Sequence, residues 1–546
     1  MERNCVLNAK RKIDPALLCW GICTALLLFI VYLMPFQGCW ITDGGNKWMV
    51  MENILHHHTL AMQNPASSLD PENRFFPDAV FHFQKTEKGI FSVFPPYFPL
   101  LSVPFYHLCG NFGKYILPLL GAALALLIVL KLSTGWRLRQ PWLIFAAAFA
   151  TPLAFYAVEF WEMTLGTVPV LGMLLLLQKR KDFYSGLALA GGLWFRPEMF
   201  FFAAVTCLVL LLTEKRRAWR FSTGFLAGFL PYGVIQTLLF GHITGIHGAT
   251  YANSSRRIFW NFYYYYFSCK PAALAAGVAA LALGCAPRFR SLVRGKMVLG
   301  ITVAAVSANQ FRQMILSAEP VSDTIMSVGL FTTTPFVYLL AANWRPVWNH
   351  PVSGIRLPAR ITLLYTLILP PLLTSTDLGI IWGARHWLFL LPLMVPLTWF
   401  TVRTKQLRLM LILLLLLSAS FQFNGLHAQY IMRQNSGILT DFLKQNTQDV
   451  IVTDTFFLPM QTPELFRERR WLFVKDGREL LDAVQLLRDQ QQPFTLVRSA
   501  RGNYRRIGND TLAELLKRCR IPEKPQALKL NGTAFLNMEI FRMEHR

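Results

Sequence analysis

Charge is what this chain lacks most. Only 15% of its 546 residues are Asp, Glu, Lys or Arg, against about a quarter in soluble globular proteins. A water-soluble surface wrapped around one core is therefore excluded. Acids are the scarcer sign, 30 against 54 Lys and Arg, leaving a net charge of +24. Cysteine is sparse and scattered: nine residues form no CxxC pair and no metal-ligand spacing. That argues against a disulfide framework, although Cys39, Cys109 and Cys269 fall on one expected side and leave a single bridge open. The first apolar run lacks a small-residue cleavage site, so it reads as a retained anchor. No internal repeat and no nucleotide-binding loop is found.

Long apolar runs are what the chain has instead. Fifty-three per cent of residues are hydrophobic, and runs of about 15–20 residues recur between short basic clusters, each near the length that crosses a hydrocarbon core as a helix. About thirteen spans are expected, at 16–36, 112–131, 141–158, 163–178, 183–196, 198–213, 220–240, 271–286, 297–315, 324–342, 360–375, 386–401 and 408–424. Arg196-Pro197-Glu198 joins the fifth and sixth, and a proline there ends a helix, so a hairpin with its tip at the membrane surface is expected.

The excess of basic residues raises nucleic acid as a partner, but their placement answers it. With the N-terminus in the cytoplasm, cytoplasmic segments hold 24 Lys and Arg and the opposite side, up to residue 424, holds 11. This is the positive-inside pattern of a multi-pass membrane protein. The acids do the reverse: Asp43, Glu52, Asp70, Glu72, Asp78, Glu87, Glu159, Glu162, Glu198, Glu319, Asp323 and Asp377 all fall outside. Several adjoin apolar sequence, where an ionisable group must be paired or face a watery cavity.

Two polar pieces are expected on that outer side. Residues 37–111 form a long first loop, ending in FSVFPPYFPLLSVPFYHLCG (91–110), whose four prolines suit an interfacial helix better than a span. Residues 430–546 read as a small α/β domain, with strands at 449–455, 470–475 and 493–499 and helices near 477–491 and 510–519. The division is thus 1–429, transmembrane and including the 37–111 loop, and 430–546, periplasmic.

Ile41-Thr42-Asp43-Gly44-Gly45-Asn46-Lys47 opens the first loop directly after the first span. It sets an acid at the interface, followed by two glycines that permit a tight turn. Its plainer reading is a cap on a helix starting near Lys47. His56-His57-His58 invites zinc, but neighbours on a helix diverge by about 100°, so a solvated interfacial helix is the better reading. The aromatic run Phe262–Phe267 reads as a belt at the bilayer surface.

In this order the pieces resemble the GT-C superfamily of membrane glycosyltransferases, in particular bacterial aminoarabinose- and mannosyl-transferase-like members. FPPYFPLLSVPFYHLCG (94–110) resembles a stretch before the second span in such proteins. FYAVEFWEMT (155–164), LWFRPEMF (193–200) and WGARHWLFLLPLMVPL (382–397) resemble later segments in the same order. The likeness covers about residues 16–424. It departs from the pattern in lacking a second acid beside Asp43, and in having Ala384 where proline is usual and His386 after Arg385.

The resemblance implies an α-helical polytopic membrane protein with a GT-C-like architecture. It implies an inverting transferase taking sugar from a polyprenyl-phosphate donor to a periplasmic lipid, glycan or protein acceptor. Displacement at an anomeric carbon needs a carboxylate for the acceptor hydroxyl and fixed cations for the departing phosphate. Asp43 is the base candidate. Arg196, Arg385 and Arg312 are the phosphate candidates, with Lys47 and His386 beside them, and Glu159, Glu162 and Glu198 are candidate substrate contacts. Each has a structural alternative: Arg196 pairing with Glu198 or Glu159, Arg385 with Asp377, Arg312 with Glu319. Membrane lipids are expected partners and nucleic acid is not; participation of a divalent cation is left open. Two other classes compete, an O-antigen ligase or polymerase, and a lipid or polysaccharide transporter. Ligases place the large outer loop late among the spans, and transporters need polar groups at mid-membrane and paired repeats. The residues name neither the sugar nor the acceptor.

Overall fold

The structure is a computed structural model that describes residues 14–77, 82–138, 140–246, 258–285, 293–316, 329–372, 382–500, 507–520 and 525–545. Helix α1 (Pro15–Leu33) starts where the Asp14 side chain accepts the Ala16 N–H at 2.9 Å and proline fills the first position, a favourable helix start. Its outer face leaves Leu17, Leu18, Ile22, Phe29 and Tyr32 exposed, an apolar surface that hydrocarbon, not water, would solvate.

By length and composition, four described helices can cross a membrane: Pro15–Leu33, Tyr97–Gly135, Lys215–Phe240 and Lys405–Asn446. Phe259–Phe267 with Pro271–Cys285, bent by 92°, makes a possible fifth. Other expected spans coincide with shorter apolar helices, Met163–Gln178, Met199–Leu211 and Leu391–Thr401. Prolines explain some of the shortness. Residues 141–158 break at Thr151-Pro152 into Trp142–Phe149 and Leu153–Ala157. Within 329–342, Pro335 separates Leu330–Thr333 from Val337–Ala342. Asp182–Gly191 and a short 3-10 turn end before Arg196-Pro197-Glu198, and Met199–Leu211 begins after it.

The first outer loop carries α2 (Thr42–His57), a hairpin of β1 (Phe83–Thr86) and β2 (Gly89–Ser92), and α3 (Tyr97–Cys109). Despite Pro104 inside it, α3 runs through a 3-10 turn into α4 (Ile116–Gly135). The proline-rich stretch is therefore the first part of a 39-residue apolar helical segment. Cys39, Cys109 and Cys269 are free thiols.

In the tail, β3 (Val450–Thr453), β4 (Arg470–Phe473) and β5 (Phe494–Ser499) lie where strands were expected, and helices Gly477–Asp489 and Asn509–Arg518 follow them. The sheet order is β4-β3-β5-β8-β6, with β6 (Cys519–Arg520), β8 (Met538–His545) and β7 (Gln526–Leu528) pairing β8. The first three strands are parallel, and β8 is antiparallel to β5.

Two boundaries differ from the sequence reading. The division at 429/430 falls inside the unbroken helix Lys405–Asn446, whose 42 residues at 1.5 Å each reach about 63 Å. And the loop and tail share a core: Ala66, Leu69 and Phe75 pack with Val450, Leu472, Leu480 and Leu496. The Phe473 N–H extends the sheet edge by donating to the Phe75 carbonyl at 2.8 Å. Asp70 shapes that loop by accepting from the Arg74 and Phe75 N–H groups at 2.9 and 2.7 Å.

Candidate active site

Helix α2 is entered from extended backbone at Ile41 (φ −144°), and Asp43 lies in its first turn, where the helix dipole favours a negative charge. The glycines after it serve close approach and not a turn. A methyl on Gly44 would sit 2.8 Å from Glu159 Oε1, and one on Gly45 would run into the Met460 carbonyl. Asn46 secures the helix by donating to the His82 carbonyl at 3.1 Å and accepting from the Ser92 hydroxyl at 2.6 Å.

Around Asp43 the structure closes a ring of charges drawn from four stretches of chain. Lys47 Nζ lies 3.6 Å from Glu162, and Arg196 donates to the other Glu162 oxygen at 2.9 Å. Arg196 also grips Glu198 with two donors. His386 Nδ1 is 3.6 Å from Glu198, and its Nε2 accepts from Arg385 Nε at 3.3 Å. Arg385 Nη1 reaches Asp43 Oδ2 at 3.7 Å, and Lys47 Nζ donates to the Asp43 backbone carbonyl at 3.4 Å. The Trp161 ring lies under both free-ended cations, 5.1 Å from Lys47 and 5.3 Å from Arg385, and Phe94 takes Lys47 at 3.9 Å. These are cation–π distances.

The distances sort the members. Arg196 engages Nε and both terminal nitrogens with carboxylates, three of the five N–H donors of its fork. Lys47 and Arg385 are held by contacts of 3.3–3.7 Å, beyond good hydrogen-bond length, so their terminal donors are available to an incoming anion. His386, accepting from Arg385 on Nε2, is read as neutral with its proton on Nδ1. Three carboxylates balance three permanent cations, so the ring is neutral overall. Asp43 is the least covered of the acids, its side chain 19% exposed where Glu162 is 2%.

Burial pushes the Asp43 carboxyl up, but His82, Lys47 and Arg385 outweigh it and hold the group well below the usual carboxylate range. Burial lowers the Lys47 ammonium, against the pull of Glu162 and Asp43.

Of the residues picked from sequence, Asp43, Lys47, Glu162, Arg196, Glu198, Arg385 and His386 are brought together. Glu159 stands behind Gly44, accepting from Gln429 of the long helix at 2.5 Å, with burial raising its carboxyl. Arg312 is not among them. It is exposed in the last turn of Val293–Ile315, a helix that packs on Lys405–Asn446 and Pro271–Cys285. Asp377, Glu319 and Asp323 lie outside the described residues. His56, His57 and His58 end α2 exposed, with His56 3.1 Å from Glu52. Among the described residues no group of three His, Cys, Asp or Glu is arranged to hold a metal ion.

Sequence reasoning missed His82, 3.6 Å from Asp43 and 3.0 Å from the Thr42 hydroxyl. It sits just before β1 with nothing in its spacing to mark it. The aromatic run is more than a belt: Tyr265 and Tyr266 are buried, and Tyr265 meets the His386 ring edge-on at 5.6 Å.

A helical body with a folded first loop and a C-terminal sheet region has a GT-C-like fold. The particular likeness is to ArnT from Cupriavidus metallidurans in the apo state: TM-score 0.51 at 12% identity, covering 96% of this chain and 98% of that one. The same protein bound to undecaprenyl phosphate gives 0.49 at 11%, covering 95% and 97%. An oligosaccharyltransferase of Archaeoglobus fulgidus, tethered to an acceptor peptide, gives 0.47 at 11%, covering 88% and 68%. No protein-family model and no curated protein matches the chain. At such identity the likeness establishes the fold alone.

Proposed function

We propose that this protein is a glycosyltransferase that moves a sugar from a polyprenyl-phosphate donor to an acceptor hydroxyl on the non-cytoplasmic face of the membrane. The observation that carries the reading is Asp43 held between His82 and Arg385, partly open, beside two loosely held cations. ArnT, the neighbour in fold, binds undecaprenyl phosphate, which agrees with that chemistry.

The proposed reaction is a single displacement. The acceptor hydroxyl donates to the Asp43 carboxylate, which takes its proton as the oxygen attacks the anomeric carbon. The glycosidic C–O bond to phosphate breaks on the opposite face, so configuration inverts. Arg385 and Lys47 receive the charge that develops on the leaving phosphate, in a pocket where fixed donors need no reorganisation. Glu198, His386 and Arg196 hold these groups in place. The proposed periplasmic placement, in a bacterial inner membrane, is supported as to side by the 24-to-11 distribution of Lys and Arg. The acceptor, whether lipid, glycan or protein, is to be named by experiment.

Asp43→Asn keeps shape and removes the base. Transfer by the purified variant should fall by a factor of about 10²–10⁴, with its helical circular dichroism unchanged. Wild-type turnover from that variant would falsify the assignment. Mass spectrometry of surface glycans and lipids from cells with and without the protein names the sugar and its acceptor together.

A further inference from the structure

The segment that delivers Asp43 is gripped by the far end of the chain. Gly38 takes a left-handed conformation (φ +74°) and lies so close to the long helix that a methyl there would strike the Arg433 carbonyl and Ser436. The Cys39 N–H donates to the Ser436 hydroxyl at 3.3 Å, and that hydroxyl donates to the Gln461 carbonyl at 2.6 Å. Gln461 Nε2 donates to the Cys39 carbonyl at 2.8 Å, and Cys39 Sγ lies 3.5 Å from the Met460 carbonyl. One turn further, Gly45 admits that same carbonyl. Behind this segment, Arg433 donates to the Val158 carbonyl at 2.9 Å, beside Glu159 and the Gln429 that holds it. Ser436 and Gln461 are fully buried. The Cys39 backbone is thus bonded on both its N–H and its carbonyl to Ser436 and Gln461, and Gly38 and Gly45 pack closely on residues 433–460, none of which carries a charge into the ring.

Resting on the reading of Asp43 as base, we propose that the tail is a positioning clamp for it. Ser436, Gln461 and the Met460 carbonyl fix the backbone at 38–45 so that position 43 keeps its place between His82, Lys47 and Arg385. Gln461 and Ser436 are positioning residues and touch no substrate. A carboxylate two bonds from a freely moving backbone would lose the register with Arg385 that 3.7 Å allows. Misplacement of about 1 Å can cost about 10²-fold in rate.

The test reads the place of position 43 without requiring turnover. In Asp43→Cys, the pH dependence of alkylation of that thiol, followed residue by residue by mass spectrometry in membranes, gives its apparent pKa. The groups facing it are His82, Lys47 and Arg385, with Glu159 behind Gly44 and the Glu162–Arg196 pair beyond Lys47. The near cations should depress the thiol below its ordinary value of about 8.5. Adding Gln461→Ala should raise the apparent pKa by about one unit and speed alkylation of Cys39, with exposed Cys109 as internal reference. Gly45→Ala, which pushes the Met460 carbonyl away while leaving every clamp donor in place, should do the same. Unchanged thiol pKa in both backgrounds overturns the clamp. In the chain with Asp43 intact, Gln461→Ala should lower kcat about tenfold or more with the donor KM within about twofold. A rise in KM alone would also overturn it. If the wild-type chain transfers no sugar, the functional reading fails while the thiol measurement still decides the clamp.

Discussion

Arg196 and Arg385 bear the same charge in the same ring, yet their surroundings give them different work. Arg196 is boxed between Glu162 and Glu198, and its removal takes the nearest cation from two buried carboxylates, leaving Glu162 only Lys47 at 3.6 Å, a loss of up to about 3–5 kcal/mol. Arg196→Gln should therefore reduce folded yield. Arg385 is tied to Asp43 only at 3.7 Å, so Arg385→Gln should fold and raise the donor KM. It should also move the acid limb of kcat/KM. Burial raises Asp43, but His82, Lys47 and Arg385 hold it below the ordinary range. Between about pH 7 and about pH 5 Asp43 should therefore stay ionised, an ordinary Asp titrating near 3.9. Removing a cation makes the carboxylate less favoured, so its pKa rises and the limb shifts to higher pH, by about one unit. A pH profile of the variant that superimposes on the wild type would show that Arg385 does not set Asp43. From sequence the carboxylates and arginines stood out because charge is rare in apolar surroundings. Which arginine had every nitrogen engaged did not, because that depends on partners up to 34 positions away, as Glu162 is from Arg196.

At the scale of elements, the turn carrying Arg385 and His386 is wedged by Trp382. Its indole N–H donates to Gln422 of the long helix at 3.1 Å, Gln422 donates to the Thr333 carbonyl at 3.0 Å, and the Tyr156 hydroxyl donates to the Trp382 carbonyl at 2.7 Å. The indole lies flat against Gly425, where any methyl would strike it. Gly172, in Met163–Gln178, has nothing within 4 Å of such a methyl. Alanine is worth up to about 1 kcal/mol over glycine inside a helix, so Gly172→Ala should be neutral or stabilising. Gly425→Ala should destabilise by about 1–3 kcal/mol through overpacking and weaken donor affinity by shifting Arg385. Thermal midpoints of the two variants check the opposite signs. The sequence ended a span near 424 because polar residues begin there. The helix continues because those residues, Gln429, Arg433 and Ser436, have buried partners at Glu159, Val158 and Cys39, a tertiary preference that local composition does not carry.

Over the whole molecule, long apolar runs made the membrane class legible, and short apolar runs alternating with helical stretches made three tail strands legible. The joint core of loop and tail was not, since Ala66, Leu69 and Phe75 meet residues some four hundred positions later, and no periodicity encodes a meeting at that separation. That shared core has a consequence for topology: the loop and tail must lie on one side of the membrane. The charge count leads us to expect that side opposite the cytoplasm, and the lipid-phosphate proposal needs it there. Gln485, exposed on the tail helix Gly477–Asp489, and Lys179, exposed after Met163–Gln178, make a discriminating pair. In spheroplasts, a maleimide that cannot cross the bilayer should modify Gln485→Cys at once and Lys179→Cys only after permeabilisation. The inverse pattern would turn Asp43 toward the cytoplasm, where the carrier-linked sugar and its outer acceptor would not meet it, and the proposed transfer would have no substrate.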